Sequence, residues 1–263
     1  MLRNLNAIFV LSLLGSPLLS FGIPIESRIV GGNVVDISKH PYLASLRIKS
    51  CQNCPYVHKC GASIYTDKVL ITGAQCLLNL DNRWRMMIVA GANTRTGADG
   101  VQIPVVKNVT HSGYNFWTID NDIGLVFLEH PLPLNENDIN SIAIAENPPH
   151  AGKPATVSGW GWNAEDGGPT YFLQDAIVPI VSNADCEKVY GVGEVTENMI
   201  CAGLRKGGKD GCQEDTGGPL VVDDELVGLV SWGRGCAREG YPSVYTSVPA
   251  HKKWIDQKIK GMS

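Results

Sequence analysis

The segment CQEDTGGPLVV, residues 212–222, joins a tight loop to a short apolar run. The glycine pair and the proline at 217–219 mark a turn, and the apolar residues that follow them are typical of a strand. One hydroxyl side chain, Thr216, lies in this loop directly after two carboxylates. The segment therefore predicts a loop that enters a strand, and it raises the question of whether Thr216 can attack a substrate.

Short apolar or alternating runs of the same kind recur along the chain, and Gly, Pro, Asn and Asp separate them. This pattern is typical of an all-β sandwich or barrel rather than of alternating strands and helices. Only the segment from Pro249 onward predicts a helix, because Trp254, Ile255 and Ile259 recur at helical spacing and give one apolar face. The strand-like runs are 68–72, 105–109, 123–128, 155–157, 176–181, 226–232 and 244–248.

The bulk composition is that of a folded globular chain. Its 263 residues can hold one large β domain or two small ones. Hydrophobic residues make up 44% and charged residues 18%, which does not indicate disorder. A formal charge of -4 gives no basic surface for nucleic acid or anionic lipid. We therefore expect no nucleic-acid partner. We also expect a monomer.

The first residues predict export. Arg3 precedes an apolar run from Ala7 to Leu19, and small residues alternate up to Gly22, so residues 1–22 are predicted to be a signal peptide. A membrane anchor is the alternative, but it needs roughly 20 consecutive apolar residues, and no other segment supplies them. We expect a secreted, extracellular protein that does not insert into a membrane.

Export favours disulfides among the eight cysteines. Eight cysteines allow 105 pairings, so the sequence alone does not choose one. Cys51 and Cys54 form a C-x-x-C motif that could be redox-active or a metal half-site, but no second C-x-x-C or H-x-x-H follows. Asn108-Val109-Thr110 is a glycosylation sequon, although such triplets also occur by chance.

Further motifs accompany the 212–222 segment, and in their content and order they resemble those of the trypsin-like serine proteases. The resemblance spans residues 28 to about 258, and the motifs are specific when taken together. They are Arg28-Ile29-Val30-Gly31-Gly32, Ile71-Thr72-Gly73-Ala74-Gln75-Cys76, Asp120-Asn121-Asp122-Ile123-Gly124-Leu125, Ser158-Gly159-Trp160-Gly161, Ser231-Trp232-Gly233 and Tyr241-Pro242-Ser243-Val244-Tyr245.

The resemblance implies two Greek-key, six-stranded β-barrels packed side by side, a C-terminal helix, and an active cleft between the barrels. It divides the chain into a signal peptide (1–22), an activation propeptide (23–28) and a protease domain (29–263). It also pairs the cysteines, and Cys51 and Cys54, which have no counterpart in the family, are left to pair with each other. The implied family pairs are Cys60 with Cys76, Cys186 with Cys201, and Cys212 with Cys236.

The resemblance assigns the three positions of the catalytic triad to Gln75, Asp122 and Thr216. The family uses a histidine, oriented by a buried aspartate, to remove the proton of a serine. Gln75 replaces that histidine, and a carboxamide cannot accept the proton near neutral pH. Its amide could instead donate to Asp122 and accept from the Thr216 hydroxyl. The methyl group of Thr216 restricts χ1 and crowds the cleft.

None of the six histidines lies in the catalytic segment. His58 is the nearest to the cleft in the family layout, and we expect it to be structural. A rescue of the missing base by another histidine is conceivable, but nothing in the motifs favours it. The histidines are His40, His58, His111, His130, His150 and His251.

Glu214 replaces a glycine whose backbone N–H, together with that of the nucleophile, forms the family's oxyanion hole. Losing one such donor costs roughly two to three orders of magnitude in rate in a comparable protease. Glutamate threatens the unusual backbone of the loop and adds a charge, although its carboxylate could point to solvent.

The substrate pocket implied by the resemblance combines Asp210, Gly233 and Ser243. Asp210 lies where trypsins select Lys or Arg, Gly233 keeps one wall open, and Ser243 replaces a glycine and adds bulk. Asp210 could equally be a solvated loop charge. The acidic ligands of the family's calcium loop are replaced by Ala92 and about Val101, and hard cations need several oxygen ligands. We expect neither a metal nor a cofactor.

An activation site is implied at Arg28. Cleavage there would free the amine of Ile29, and Asp215 lies where the family receives this amine in a buried ion pair. Arg28-Ile29 could also be a basic spot in a linker, but Val30-Gly31-Gly32 follows, and we favour a processing site.

These positions together predict a secreted protease homologue that has lost peptidase activity and acts by binding proteins or peptides. It could be a decoy for substrates or inhibitors, or a cofactor that holds an active protease or its zymogen. The alternatives are a weakly active serine endopeptidase that cleaves after Lys or Arg, and an inert structural or nutritive secreted protein.

Overall fold

The computed structural model describes residues 31–78, 84–97, 99–162, 164, 167–209, 211–212 and 214–261. The signal peptide 1–22, the propeptide 23–28, Arg28, Ile29 and Asp210 lie outside the described residues. Within the described ranges, no helix has the length and apolar character needed to span a membrane.

The described residues form fourteen strands and two α-helices. The strands are β1 (Asn33–Val34), β2 (Leu43–Lys49), β3 (Val57–Ile64), β4 (Val69–Thr72), β5 (Arg85–Ala90), β6 (Val101–Thr110), β7 (Gly124–Leu128), β8 (Ala143–Ile144), β9 (Pro154–Gly159), β10 (Gln174–Val181), β11 (Met199–Ala202), β12 (Pro219–Val222), β13 (Glu225–Trp232) and β14 (Ser243–Ser247). The helices are α1 (Asn183–Tyr190) and α2 (Val248–Lys260).

The first barrel closes through antiparallel pairs in the order β2-β3-β4-β7-β6-β5. Successive side chains along a strand point to opposite faces, so one set of side chains from each strand fills the barrel. Leu46, Leu70 and Ile88, from three different strands, are fully buried in one apolar cluster. Removing such side chains from water is the main favourable contribution to this half of the fold.

The second barrel is built from β9 to β14, with neighbours in the order β10-β11-β14-β13-β12-β9, and the pairing of β9 with β10 closes it. The short strand β1 adds to β10, and β8 pairs in parallel with β13. Val157, Val178 and Leu220 are fully buried in its apolar cluster. The expected all-β fold of two six-stranded barrels is therefore confirmed.

A separate apolar cluster joins the two barrels. Ile71 and Leu125 of the first barrel pack with Leu226 and Leu229 of the second, and Ile255 of α2 packs into the same cluster. All five side chains are fully buried. Helix α2 begins one residue before the predicted Pro249 and confirms the expected C-terminal helix.

Helix α1 was not predicted from the sequence. It begins after Ser182, whose Oγ accepts a hydrogen bond from the backbone N–H of Asp185 at 3.1 Å and so caps the first turn. Only Cys186 of its eight residues is buried. An apolar stripe is therefore almost absent, and the periodicity that would predict the helix is missing.

All four expected disulfides are formed: Cys51–Cys54, Cys60–Cys76, Cys186–Cys201 and Cys212–Cys236. Two of them fix the loops around the cleft. The Cys60–Cys76 bond ties β3 to the segment that carries Gln75, and the Cys212–Cys236 bond ties the start of the Thr216 loop to the segment after β13.

Candidate functional site

Three segments bring the predicted triad positions together between the barrels. Gln75 lies in a short 3-10 turn, 74–76, that follows β4, and Asp122 lies just before β7. Thr216 lies in the loop before β12, where its carbonyl accepts a hydrogen bond from the backbone N–H of Gly61 in β3 at 2.9 Å. A bond from one barrel to the other therefore fixes the Thr216 loop.

Gln75 and Asp122 are in direct contact. The backbone N–H of Gln75 donates to Asp122 Oδ1 at 2.9 Å, and its side-chain Nε2 donates to Asp122 Oδ2 at 2.5 Å. The same Nε2 donates to the backbone carbonyl of Ser231 at 3.0 Å. Both N–H groups of the carboxamide thus have acceptors. The expected bond to Asp122 is present, whereas no described residue hydrogen-bonds to the Thr216 hydroxyl.

Asp122 is fully buried. Besides Gln75, its carboxylate accepts a hydrogen bond from Ser231 Oγ at 2.6 Å. Burial raises the pKa of Asp122, and the hydrogen bonds from Ser231 and Gln75 act in the opposite direction. This role of Ser231 was not predicted from the sequence. Its place in the motif Ser231-Trp232-Gly233 was the only available signal.

His58 contacts the Thr216 loop but cannot serve it as a base. Its Nε2 lies 3.0 Å from the backbone carbonyl oxygen of Glu214, which accepts hydrogen bonds, so Nε2 carries the proton. Its Nδ1 lies 2.7 Å from Ser45 Oγ. Burial lowers the pKa of His58 to about 4, which keeps the ring neutral near pH 7. Both ring nitrogens are therefore engaged, in agreement with the expected structural role.

Two other histidines, His40 and His251, also have partners away from Thr216. His40 contacts Tyr42 and Asp175 through its two ring nitrogens, and His251 contacts the carbonyl of Ser247 and the side chain of Asn121. No described residue supplies a proton acceptor to the Thr216 hydroxyl. Within the part of the chain that the structure describes, hydrogen bonds join Gln75, Asp122 and Ser231, and none of these side chains hydrogen-bonds to the Thr216 hydroxyl.

A tight turn shapes the loop in front of Thr216. The backbone N–H of Asp215 donates to the carbonyl of Cys212 at 3.0 Å, and Glu214, the third residue of this turn, has φ 70°. Glycine is the usual residue at such a φ because a side chain is strained there. We expected glutamate to strain the backbone of this loop, and the left-handed conformation of Glu214 agrees with that expectation.

The Glu214 carboxylate does not simply point to solvent, which was the alternative that the sequence left open. It forms an ion pair with Arg95 at 2.5 Å, and the Glu214 side chain is 33% exposed. Arg95 belongs to the loop between β5 and β6, which is 119 residues away in the chain. No local pattern in the sequence indicates this partner.

Asp215 is buried and accepts hydrogen bonds from two backbone N–H groups. Gly161 donates to Oδ1 at 2.7 Å, and Cys212 donates to Oδ2 at 3.0 Å. The bond from Gly161 links the Thr216 loop to the segment just after β9, and the bond from Cys212 lies within the loop itself. Asp215 thus lies at the buried position expected for it, while its assigned partner Ile29 lies outside the described residues.

A pocket of about 200 Å³ opens beside Thr216. Gly233 and Ser243 form part of its wall, as expected, and a Cβ added at Gly233 would lie 3.3 Å from Ser243 Oγ. Ser243 therefore narrows the pocket opposite Gly233. A larger groove of about 660 Å³ lies beside α1, but no residue assigned to the site lines it. We take the smaller pocket as the candidate binding site because it adjoins Thr216.

The described residues of the 93–99 loop do not fit a calcium ion. Ala92 is buried and apolar, and Val101 begins β6. The guanidinium of Arg47 donates to the backbone carbonyls of Gly97 at 3.0 Å and Thr94 at 3.3 Å. Carbonyl oxygens of this kind are calcium ligands, and here a side-chain cation binds them. Within the described ranges, no cluster of three or more His, Cys, Asp or Glu side chains could hold a metal.

Comparison with known proteins agrees with the two-barrel fold and with the motifs that surround Thr216. The family model described as Trypsin matches residues 29–255. Trypsin eta of Drosophila erecta is 41% identical over 235 residues, which cover 89% of this chain and 91% of the relative. Trypsin zeta of Drosophila melanogaster is 41% identical over 247 residues, which cover 90% and 88%. Anionic trypsin of Bos taurus is 35% identical over 263 residues, which cover 98% and 100%.

Proposed function

Since the chain belongs to the trypsin family of serine proteases, we propose that it binds polypeptides in the cleft beside Thr216 without cleaving them. One observation carries the proposal. At the position of the family's general base lies the Gln75 amide, whose nitrogen donates to Asp122 and to the Ser231 carbonyl. A carboxamide cannot take up the proton that Thr216 must lose before it attacks.

The size of the expected loss is large. In a comparable triad, removing the nucleophile or the base alone lowers kcat by about six orders of magnitude, and removing the other adds little. Here the base is replaced by Gln75 and the serine by Thr216, and Glu214 stands at the oxyanion position. Because three positions differ at once, a single neighbouring side chain could not restore all of the lost catalytic groups.

A binding role uses what the cleft retains. The pocket beside Thr216 is formed, and Asp122 and Asp215 remain buried and hydrogen-bonded. The ligands that suit such a cleft are extended peptides and the exposed loops of proteins, including protease inhibitors, active proteases and zymogens. The protein would then act as a decoy, a cofactor or a regulator of proteolysis.

A second candidate is a weakly active serine endopeptidase that cleaves after Lys or Arg. The names of the relatives favour it, because each of the three is called a trypsin. Asp210, at the place where the family selects basic side chains, also favours it. This candidate requires turnover, whereas the binding proposal requires stable complexes without cleavage.

We extend the proposal to export and processing. The N-terminal segment directs secretion, which agrees with the four disulfides, and cleavage after Arg28 produces the mature chain. Treatment of the recombinant precursor with trypsin should release a chain that begins Ile29-Val30-Gly31-Gly32 in N-terminal sequencing. A different first residue would reject this processing site.

The deciding experiment measures turnover and binding on the same cleaved protein. We expect no hydrolysis of an arginyl ester or peptide above background, no labelling of Thr216 by a phosphonofluoridate, and a stable complex with a substrate-like protein inhibitor. Gly233→Val should weaken that complex by filling the pocket, with circular dichroism as the check on folding. Stoichiometric labelling of Thr216, or turnover that matches an active trypsin, would overturn the proposal.

Restoring the family residues tests the role of each replaced position. Thr216→Ser alone should yield no activity, because no base is present, and Gln75→His alone should yield at most a trace. The combination of both with Glu214→Gly should produce measurable cleavage after Arg or Lys, since the members of a triad act as a unit. The exposed Thr118→Ser serves as a matched control. A folded, cleaved and inactive triple variant would show that the cleft differs beyond these residues.

A further inference from the structure

Glu214 is held at two points, although its backbone conformation is one that glycine normally adopts. Its carboxylate pairs with Arg95 at 2.5 Å, and its backbone carbonyl accepts the Nε2–H of His58 at 3.0 Å. The Arg95 side chain is only 16% exposed. An ion pair that is largely withdrawn from water is screened less than one on the surface, so this contact can hold Glu214 against its unfavourable φ of 70°.

Arg95 is itself fixed by its loop. Its backbone N–H donates to the carbonyl of Tyr171 at 2.8 Å. Asp99 closes the loop by accepting hydrogen bonds from the backbone N–H groups of Asn93 at 2.7 Å and Thr94 at 2.9 Å. The carbonyl of Thr94 in turn accepts from Arg47. Hydrogen bonds at Arg95 itself and at the preceding Thr94 therefore hold the backbone that carries the Arg95 side chain.

The contacts return from Arg47 to Glu214. Arg47 Nε donates to Ser45 Oγ at 3.3 Å, and Ser45 Oγ lies 2.7 Å from Nδ1 of His58. His58 then donates to the Glu214 carbonyl. Together with the peptide bond between Thr94 and Arg95, these interactions form a closed ring, which we call the Glu214 ring. Its members are Glu214, Arg95, Thr94, Arg47, Ser45 and His58.

The ring lies beside the pocket and not in it. Thr216 and Cys212 line the pocket, whereas Arg95 and His58 do not. Glu214 is the connection, because it belongs to the turn between Cys212 and Asp215 and directly precedes the residues that position Thr216. A change in the pairing of Arg95 with Glu214 would reach the pocket through this turn.

We propose that Arg95 is a positioning residue for the Thr216 loop, acting through its ion pair with Glu214. The pair keeps a glutamate in the left-handed conformation that this turn requires, and so fixes the backbone on which Thr216 and the pocket wall depend. Glycine needs no such support, because it adopts this φ without strain. Arg95 therefore compensates specifically for glutamate at position 214, and the proposal holds whether or not the cleft is catalytic.

The test is a double-mutant cycle read by hydrogen exchange at two backbone amides of the loop. The Gly217 N–H donates to the Val230 carbonyl and the Gly218 N–H to the Asp215 carbonyl, each at 2.8 Å. Arg95→Ala should speed exchange at both amides by about tenfold or more and leave the amides of α2 unchanged. In the Glu214→Gly background, the same substitution should have no effect on either amide.

Two results of this cycle would show that Arg95 does not position the Thr216 loop through Glu214. If Arg95→Ala leaves the loop amides as protected as in the unmodified chain, the pair does not position the loop. If it speeds their exchange equally in the Glu214→Gly background, Arg95 only supports its own loop. Either result overturns the proposal.

Two further measurements guard against a variant that fails to fold. Arg95→Lys, which keeps the charge, should restore most of the protection. Arg95→Met, which keeps most of the side-chain bulk without the charge, should speed loop exchange as Arg95→Ala does; protection equal to that of the unmodified chain would contradict the proposal. Lys153→Ala breaks the exposed pair between Lys153 and Asp223 and is the matched control, with no expected effect at either amide.

Discussion

Lowering the pH from 7 to 4 should weaken the fold in part through the buried imidazole of His58. The side chain is 4% exposed, and it bridges Ser45 of the first barrel and the Glu214 carbonyl in the second. Burial lowers its pKa from 6.5 to about 4, and the hydrogen bond to Glu214 offsets only part of that effect. His58 therefore stays neutral in the folded chain at pH values where an unfolded chain would protonate it.

The sign and size of the effect follow from this difference. Between pH 6.5 and about 4, the unfolded chain binds more protons than the folded chain at this position, so the free energy of unfolding falls as the pH falls. Each pKa unit corresponds to about 1.4 kcal/mol. The loss should approach about 3 kcal/mol near pH 4 and level off below it, where both states are protonated.

Urea unfolding in steps from pH 7.5 to pH 3.5, with the disulfides intact, measures this dependence. His58→Gln will lower stability at all pH values by removing buried hydrogen bonds, so the comparison is between slopes. The variant should lose less stability on acidification than the unmodified chain, by about 3 kcal/mol at pH 4. His130→Gln, at a side chain that is 74% exposed, should keep the original slope. Parallel curves for the unmodified chain and His58→Gln would refute this account of His58.

Three further predictions concern other parts of the chain. Gly159→Ala should destabilise the fold by about 3 kcal/mol in urea unfolding, because the added Cβ would lie 2.1 Å from Asp215 Oδ1; an unchanged midpoint would contradict this packing. Calcium or EDTA should leave the Tm unchanged, because Arg47 binds the loop carbonyls; a rise of several degrees with calcium would show a metal site. Expression in a secretory host should attach one glycan at the exposed Asn108, seen as a mass that falls on glycosidase treatment and is absent from Asn108→Gln; equal masses would count against occupancy.

Much of the fold could be predicted because its signals are local. Every strand-like run named from the sequence falls largely within a strand of the structure, and the apolar face after Pro249 became α2. The order of the motifs added the two barrels and the disulfide pairs, which periodicity does not provide. Helix α1 was not predicted, because only one of its residues, a cysteine, is buried. Its sequence therefore shows almost no periodic spacing of apolar residues.

The site was predictable only in part, because some of its contacts have no local signal in the sequence. The positions of Gln75, Asp122 and Thr216 follow from motifs, and the donation from Gln75 to Asp122 follows from the chemistry of an amide beside a carboxylate. The pairing of Arg95 with Glu214 spans 119 residues and depends on the packing of the first barrel against the second. No periodicity or spacing in the sequence encodes such a contact.

The surroundings of Asp122 bear on how such chains change over evolutionary time. Ser231 in β13 donates to its carboxylate at 2.6 Å, and Thr246 in β14 donates to its backbone carbonyl at 2.9 Å. Asp122 itself belongs to the first barrel, so these bonds hold the two halves of the molecule in register. Selection for folding can therefore preserve this aspartate in a lineage whose chemistry has ceased. An intact aspartate at this position is weak evidence for catalysis in any chain built this way, and the residue that faces it, here Gln75, is the more informative marker.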